Sequence, residues 1–190
     1  MAYFPLMVDL KDKRILIIGG GETAARKAEL MQDFGAEVTV IARNFLCSFP
    51  KEAELIEKSF EKEDILSRAP ELFLIIAATD ERTVNEEIAG LSRELRIPVN
   101  VVDDEPLCSF TFPAVIREDD VVVSVSSGGK SPLVTQYVKK RIKEILPPDI
   151  GYINDEMGRL RKKTRESVAD QKERREIYKE ALSNLLNKNS

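Results

Sequence analysis

The stretch that decides the fold is ILIIGGGETAARKAEL, residues 15–30. Its apolar start is typical of a β-strand, and the residues after the glycines place apolar side chains at helical spacing. Gly19-x-Gly21-x-x-Ala24 matches the G-x-G-x-x-G/A fingerprint, in which the first glycine permits a tight turn and the second lets the backbone approach a pyrophosphate. The third position must be small so that helix and strand pack closely. The stretch predicts a nucleotide-binding turn, and a tight turn without a ligand is the alternative.

An acid, Glu22, follows the glycines where a pyrophosphate would be close. Its backbone amide can face the phosphate while its side chain points to solvent and complements the helix dipole. The first amides of the helix and its dipole favour an anion at the same place. Glu22 is therefore compatible with a dinucleotide site.

Strands and helices alternate through the first 112 residues. After the first strand, apolar runs predict strands at Val38–Ala42, Ile56–Phe60, Leu72–Ala78 and Ile97–Val102. The run Leu72–Ala78 does not alternate with polar residues, which indicates burial on both faces, as in a parallel sheet. The pattern predicts an α/β fold with a Rossmann-type doubly wound parallel sheet. The predicted helices between the strands are Thr23–Phe34, Glu63–Arg68 and Thr83–Leu95.

The pattern changes after residue 112. Two short strands are predicted at Ala114–Arg117 and Val121–Ser126, and a helix at Leu133–Leu146 ends before two prolines. The last forty residues have a strongly helical pattern. We therefore expect three parts, residues 1–112, 113–148 and 149–190.

Composition excludes several classes of function. The chain has 190 residues and no histidine, which excludes a Ser-His-Asp triad, a Cys-His pair and a His-ligated metal. Its two cysteines, Cys47 and Cys108, have no metal-ligand spacing, so we expect no metal site and a reducing cytoplasm. No apolar run approaches the roughly 20 residues of a membrane span. The N-terminus lacks the basic and apolar regions of a secretory signal, so we expect no membrane partner.

The charge of the chain is uneven. The net charge is −4, and residues 151–190 contain ten Lys or Arg and seven Asp or Glu, which leaves +3 there and −7 elsewhere. The mixed signs of this tail favour a solvated helical face over a surface that binds nucleic acid. We expect no nucleic-acid partner.

A second turn rich in glycine and serine, Ser126–Ser131, precedes a predicted helix. Its amides, hydroxyls and lysine could bind a carboxylate or a phosphate. The spacing of a P-loop is absent. A capped helix start, with Ser131 as the cap and Pro132 in the first helical position, is the plainer interpretation and is compatible with binding.

Arg43 and Asn44 follow the second predicted strand, where an NAD site often has an acid that holds the ribose hydroxyls. Asn44 could form a hydrogen bond with the ribose. Arg43 could favour a 2′-phosphate and thus NADP, could lie against adenine, or could be an exposed loop residue.

Asp103 follows the fifth predicted strand. Ligands of open α/β sheets bind beyond the carboxyl ends of the strands, and a carboxylate there is a natural general base in a chain without histidine. By position alone, three other acids are equally good candidates: Asp80, Asp104 and Glu105.

Taken together, these motifs resemble the precorrin-2 dehydrogenases, including the N-terminal module of siroheme synthases. The resemblance is close over about residues 3–150 and looser in the tail. It implies the NAD-dependent oxidation of the tetrapyrrole precorrin-2 to sirohydrochlorin on the route to siroheme, and iron insertion in some members. The segments that carry it, in order, are YFPLMVDLKDKRILIIGGGETAARKAELM at residues 3–31, AATD at 77–80, NVVDD at 100–104, FPAVI at 112–116 and VSSGGKSPL at 125–133.

The resemblance also implies an organisation and a set of roles. Residues 1–112 would be the NAD-binding domain, 113–148 the segment of a homodimer that exchanges contacts between subunits, and 149–190 a helical domain. Asp103 is the implied catalytic residue. The expected cofactor-binding residues are Gly19, Gly21, Glu22, Thr23, Ala24, Arg43, Asn44, Thr79, Asp80 and Asn100. Because a tetrapyrrole rich in carboxylates needs cationic and amide donors, we expect the second turn to bind the substrate, through Ser126, Ser127, Gly128, Gly129, Lys130 and Ser131.

Two other functions compete with this one. A non-catalytic NAD-binding regulatory or sensor module would need the glycine turn alone. A tetrapyrrole carrier that lost turnover would keep the substrate contacts. Asp103 and the second turn favour the enzyme, because a sensor needs neither.

Overall fold

The computed structural model describes residues 3–187, which divide into two compact units. The first unit is Leu6–Phe112, and the second combines residues 3–5 with residues 113–187. Each unit contains a β-sheet of its own.

The sheet of the first unit has five parallel strands in the order β3-β2-β1-β4-β5. The chain moves outward from β1 to β3 and then returns to the other side of β1 with β4. The order therefore reverses between β1 and β4, which is the switch point where open α/β sheets bind ligands. The predicted doubly wound parallel sheet is confirmed. The strands are β1 Arg14–Ile18, β2 Glu37–Ala42, β3 Glu54–Glu57, β4 Leu72–Ala77 and β5 Val99–Val101.

Helices cover both faces of this sheet. Successive residues of β1 point to opposite sides, so that Ile15 and Ile17 pack in one core while Leu16 and Ile18 pack in the other. The first core lies under α1 (Glu22–Asp33), and the second lies under α2 (Glu63–Leu66) and α3 (Arg82–Glu94). This double burial explains why the central strands are continuously apolar.

Two strands differ from their predicted bounds. The strand predicted at Ile56–Phe60 is Glu54–Glu57, because β3 is a largely exposed edge strand whose position depends on pairing with β2 rather than on its apolar residues. The strand predicted at Ile97–Val102 is only Val99–Val101. Pro98 has no amide hydrogen to donate, although its carbonyl still accepts the amide of Ile75.

The second unit is a hairpin followed by three helices. The turn of the hairpin packs against the start of α5, where a Cβ on Gly151 would lie only 2.1 Å from Oδ2 of Asp119. Within residues 3–187, no helix combines the length and apolar character that crossing a bilayer requires. The elements are β6 Ala114–Glu118, β7 Val121–Val125, α4 Pro132–Ile145, α5 Ile150–Ser167 and α6 Gln171–Asn187.

A lysine is half-buried on α1. The ammonium of Lys27 lies 3.8 Å from the ring centroid of Phe112, which packs edge to face with Phe110. Burial, with the positive charge of Arg26 beside it, lowers the pKa of Lys27 to about 8. The contact joins α1 to the last residues of the first unit.

This lowered pKa predicts a dependence of stability on pH. Between pH 8 and the ordinary lysine value of 10.5, the unfolded chain binds a proton at Lys27 that the folded chain has released. The contribution of Lys27 to the free energy of unfolding therefore rises over that range and is constant below it. In urea unfolding from pH 7 to 10.5, Lys27→Met is expected to lose this rise. Lys13→Met is the control, since Lys13 is exposed and lies 5.7 Å from the Phe73 ring. Equal pH profiles for the two variants would contradict the assignment.

Candidate functional site

The turn after β1 is held against the end of β4 by Gly19. Gly19 has a φ of +135°, a conformation that side chains rarely allow. A Cβ on it would lie 2.2 Å from the carbonyl oxygen of Ala78. Its amide donates to the carbonyl of Ile41 at 2.9 Å. Only glycine therefore fits between β2 and β4 at this position.

Gly20 holds the same turn against the end of β2. A Cβ on it would lie 1.9 Å from the carbonyl oxygen of Asn44, and its own carbonyl accepts the amide of Leu46 at 2.9 Å. The fingerprint treats this position as variable, so the sequence did not assign it a role. The run of three glycines was the available signal.

Gly21 differs from both, because a Cβ added to it meets no atom within 4 Å. The outer surface of the turn is open there, as the approach of a pyrophosphate requires. Gly21 also precedes α1, and no side chain caps the first amides of that helix. Glu22 is exposed, Thr23 accepts a hydrogen bond from Arg26, and Ala24 is buried in the core under α1. Open backbone and uncapped amides fit a dinucleotide phosphate.

At the end of β4, a polar pair fixes the next turn. The Thr79 hydroxyl donates to Oδ1 of Asn85 at 2.7 Å, and Nδ2 of Asn85 donates to the Thr79 carbonyl at 3.0 Å. The amide of Glu81 donates to the Thr79 hydroxyl at 3.3 Å. Asn85 is buried on α3 and was not identified from the sequence, whereas Asp80 is exposed. Thr79 therefore shapes the backbone beside the glycine turn.

Arg43 forms an ion pair with Glu81, which immediately precedes α3. Arg43 and Asn44 are both exposed, and Asn44 faces the turn through its carbonyl. From the sequence, Arg43 could be either a ligand contact or an exposed loop residue. It did not identify Glu81, which lies 38 residues away along the chain.

Asp103 directly follows the short strand β5 and its flanking residue Val102. Its φ is +59°, which is uncommon outside glycine although aspartate is among the residues that tolerate it. Asp103 is exposed, and its carboxylate forms no hydrogen bond or ion pair with residues 3–187. By contrast, the Asp104 side chain is partly buried, and its Oδ2 lies 3.6 Å from Nε of Arg82. No group of three or more acidic or cysteine side chains in the described chain could hold a metal ion.

Asn100 has partners within the first unit. The side chain is buried, and Nδ2 donates to the carbonyl of Phe110 at 3.1 Å. Burial raises the pKa of the neighbouring Cys108 thiol, which donates to the carbonyl of Val101. Both side chains hold the segment after β5 against that strand, and the predicted contact of Asn100 with a cofactor stays a prediction.

In the second unit, the turn Ser126–Ser131 begins α4. Ser131 accepts the amide of Val134 at 3.3 Å and Pro132 begins the helix, so the predicted helix cap is confirmed. Gly128 and Gly129 both have positive φ, at 65° and 77°. Further hydrogen bonds inside the turn join the Ser126 hydroxyl to the amide of Gly128, and the Ser127 hydroxyl to the amide of Ser131 and the hydroxyl of Thr135.

The turn's role in binding stays a prediction. Lys130 is exposed, and no hydrogen bond or ion pair engages its ammonium within residues 3–187. An ammonium of this kind can meet an anionic ligand.

Known proteins resemble this chain in both sequence and fold. A family model described as "Putative NAD(P)-binding" matches residues 6–114. Siroheme synthase 1 of Serratia proteamaculans is 34% identical over 96% of this chain and 38% of its own length. Siroheme synthase of Nitrosospira multiformis is 37% identical over 96% of this chain and 40% of its own length. The chain thus spans about two fifths of the curated relatives it matches.

A solved structure has the same fold. SirC, precorrin-2 dehydrogenase, superposes with a TM-score of 0.69 at 20% identity and covers 94% of this chain and 88% of its own. This likeness extends beyond the Rossmann sheet into the helical part. The family match supports a nicotinamide cofactor and does not distinguish NAD from NADP.

The three glycines are expected to respond differently to alanine. Gly19→Ala and Gly20→Ala place a methyl group against backbone oxygens, so both should lower the thermal unfolding temperature. Gly21→Ala places it in open space with an allowed φ of −91°, so the fold should persist while NADH affinity falls. Thermal unfolding and NADH fluorescence titration measure the two effects. Full NADH affinity in folded Gly21→Ala would contradict the location of the pyrophosphate.

Proposed function

We propose that this chain, which belongs to the NAD(P)-binding family over residues 6–114, oxidises precorrin-2 to sirohydrochlorin with NAD as the hydride acceptor. Its similarity to siroheme synthases over 96% of its length and its shared fold with SirC support the proposal. The observation that carries it is that two features lie beyond the carboxyl ends of strands in the same sheet. An open glycine turn follows β1, and an unpartnered carboxylate, Asp103, follows β5.

In this proposal, the backbone amides, the cofactor and Asp103 each have a separate role. The uncapped amides of α1 bind the pyrophosphate, and the turn's packing against Ala78 and Asn44 fixes its orientation. Bound NAD supplies hydride acceptance, which the side chains of the protein cannot. Oxidation also releases a proton, and Asp103 is the base that receives it. Because its carboxylate has no partner within residues 3–187, no ion pair has to break first.

Binding of the substrate falls to cationic groups and amides, because the tetrapyrrole carries many carboxylates. Lys130 and the amides of the Ser126–Ser131 turn are one candidate set in the second unit. Another is the exposed basic surface of α5, with Arg161 and Lys162 as members. Arg159 lies on the same helix but pairs with Glu156.

The chain acts as a homodimer in this proposal, with α4 at the interface. None of the residues of α4 is buried, although the helix is rich in apolar side chains. Leu133 is 82% exposed and Ile145 77% exposed. Apolar helix faces normally pack against a partner, and a second copy of the chain supplies a matching one.

The experiment that tests the proposed reaction is incubation of the purified protein with precorrin-2 and NAD. NADH absorbance and the sirohydrochlorin spectrum are expected to appear together. Cofactor binding without either change would support a sensor module instead. A parallel incubation of sirohydrochlorin with ferrous iron as substrate tests chelation.

Asp103→Asn is expected to lower turnover by roughly 10²–10⁴-fold, the range for loss of a general base. Asparagine keeps the shape of the side chain and tolerates positive φ, so NADH affinity and stability should be retained. Asp12→Asn is the matched control, because Asp12 has a similar φ of +58° and precedes β1 at the opposite edge of the sheet. Steady-state rates compare the two, and wild-type turnover in Asp103→Asn would refute the role of Asp103 as base.

Charge on α4 is expected to disrupt the dimer. Leu133→Glu combined with Ile145→Glu would bury two carboxylates in the interface, so sedimentation velocity should change from dimer to monomer. Leu46→Glu is the control, since Leu46 is 81% exposed and lies in the first unit. A wild-type monomer, or a double variant that stays dimeric, would count against α4 as the interface.

A further inference from the structure

An ion pair joins the segments that follow β2 and β4, the two strands on either side of β1. Arg43 follows β2 and Glu81 follows β4, while β1 lies between these strands and leads into the turn. The same turn packs against Ala78 on one side and Asn44 on the other. The guanidinium and the carboxylate therefore meet across the carboxyl end of β1, at the switch point of the sheet.

We propose that Glu81 makes this site selective for NAD over NADP by holding Arg43. This inference rests on the dinucleotide cofactor of the proposed function and concerns its ribose. In Rossmann sites, an acid after the second strand accepts the ribose 2′-hydroxyl, whereas an arginine there accommodates a 2′-phosphate. This chain has Ala42, Arg43 and Asn44 at that position and no acid. Glu81 supplies the missing carboxylate from the turn after β4, the strand on the other side of β1.

The charges of this ion pair favour the ribose 2′-hydroxyl of NAD over the 2′-phosphate of NADP. A 2′-hydroxyl can donate to a carboxylate oxygen without any change of charge. A 2′-phosphate carries about −1.5 to −2 charges, on the scale of a phosphorylated side chain. It must compete with Glu81 for Arg43, and any separation of the pair leaves the Glu81 carboxylate close to the phosphate. Like charges at such a distance disfavour binding, and salt weakens the effect.

The exposure of the Arg43–Glu81 ion pair lets a ligand reach it and means that its removal should cost the protein little stability. The side chains of Arg43 and Glu81 are 59% and 44% exposed, so a ligand can reach both. Exposed ion pairs contribute little to stability. The hydrogen bonds between Glu81 and Thr79 use the backbone of Glu81, so replacement of its carboxylate leaves the turn intact.

A neighbouring ion pair provides a matched control. On α3, Nε of Arg82 lies 3.0 Å from Oε1 of Glu86, and the Glu86 side chain is 48% exposed. Glu86→Gln therefore makes the same change of charge at a similar exposure, but on α3 and outside the Arg43–Glu81 ion pair. The double variant Arg43→Ala with Glu81→Gln tests whether Glu81 acts through Arg43.

The experiment is fluorescence titration of each protein with NADH and with NADPH at low salt. Glu81→Gln is expected to improve affinity for NADPH relative to NADH by roughly two- to fivefold, the scale of one exposed charge pair. Glu86→Gln should keep the wild-type ratio, and the double variant should lose the gain. High salt should shrink the difference between wild type and Glu81→Gln.

The outcomes separate this inference from the proposed reaction. An unchanged ratio in Glu81→Gln, or an equal loss of both affinities, overturns the role of Glu81 in selection. A protein that selects NADH but does not oxidise precorrin-2 overturns the proposed reaction alone. A wild-type protein that binds neither dinucleotide overturns both.

Discussion

The close approach of a turn to two strand ends is the constraint on which the first unit depends. The carbonyl oxygens of Ala78 and Asn44 occupy the space that side chains on Gly19 and Gly20 would need. Because the turn is held so tightly from both sides, α1 must begin directly over the switch point. Gly21 is then left as the exposed member of the three, and the uncapped amides of α1 lie beside it.

A rigid sheet supports this arrangement. Its central strands are buried on both faces, and each face has its own helices. Polar groups lie beyond the carboxyl ends of these strands, on short turns with defined backbone conformations. Asp103 at positive φ and the Thr79–Asn85 pair are examples. A packed core with reactive groups on its loops is the usual arrangement of an α/β enzyme.

The sequence predicted what local patterns determine. The unbroken apolar run of β4, the fingerprint of the glycine turn and the cap at Ser131 each depend on a few neighbouring residues, and each is present. The bounds of β3 were wrong because an edge strand with four mostly exposed residues carries little apolar signal. The family resemblance, rather than any periodicity, singled out Asp103 from the other acids near it.

The residues that sequence reasoning missed act through contacts between distant parts of the chain. Glu81 pairs with a residue 38 positions earlier, and Gly20 is constrained by the carbonyl of Asn44 in the segment after β2. Asn85 turns inward from an amphipathic helix to meet the preceding loop, where a polar residue in a helical pattern would normally face solvent. Such contacts become visible only once strand order and register are known.

The most direct test of the account is an amide-resolved NMR titration of the ¹⁵N-labelled protein with NAD. If the glycine turn is the pyrophosphate site, the largest changes in chemical shift should fall on the backbone amides of residues 21–24, at the start of α1. Changes confined to the Ser126–Ser131 turn, or an absence of change in residues 21–24 at saturating NAD, would contradict it.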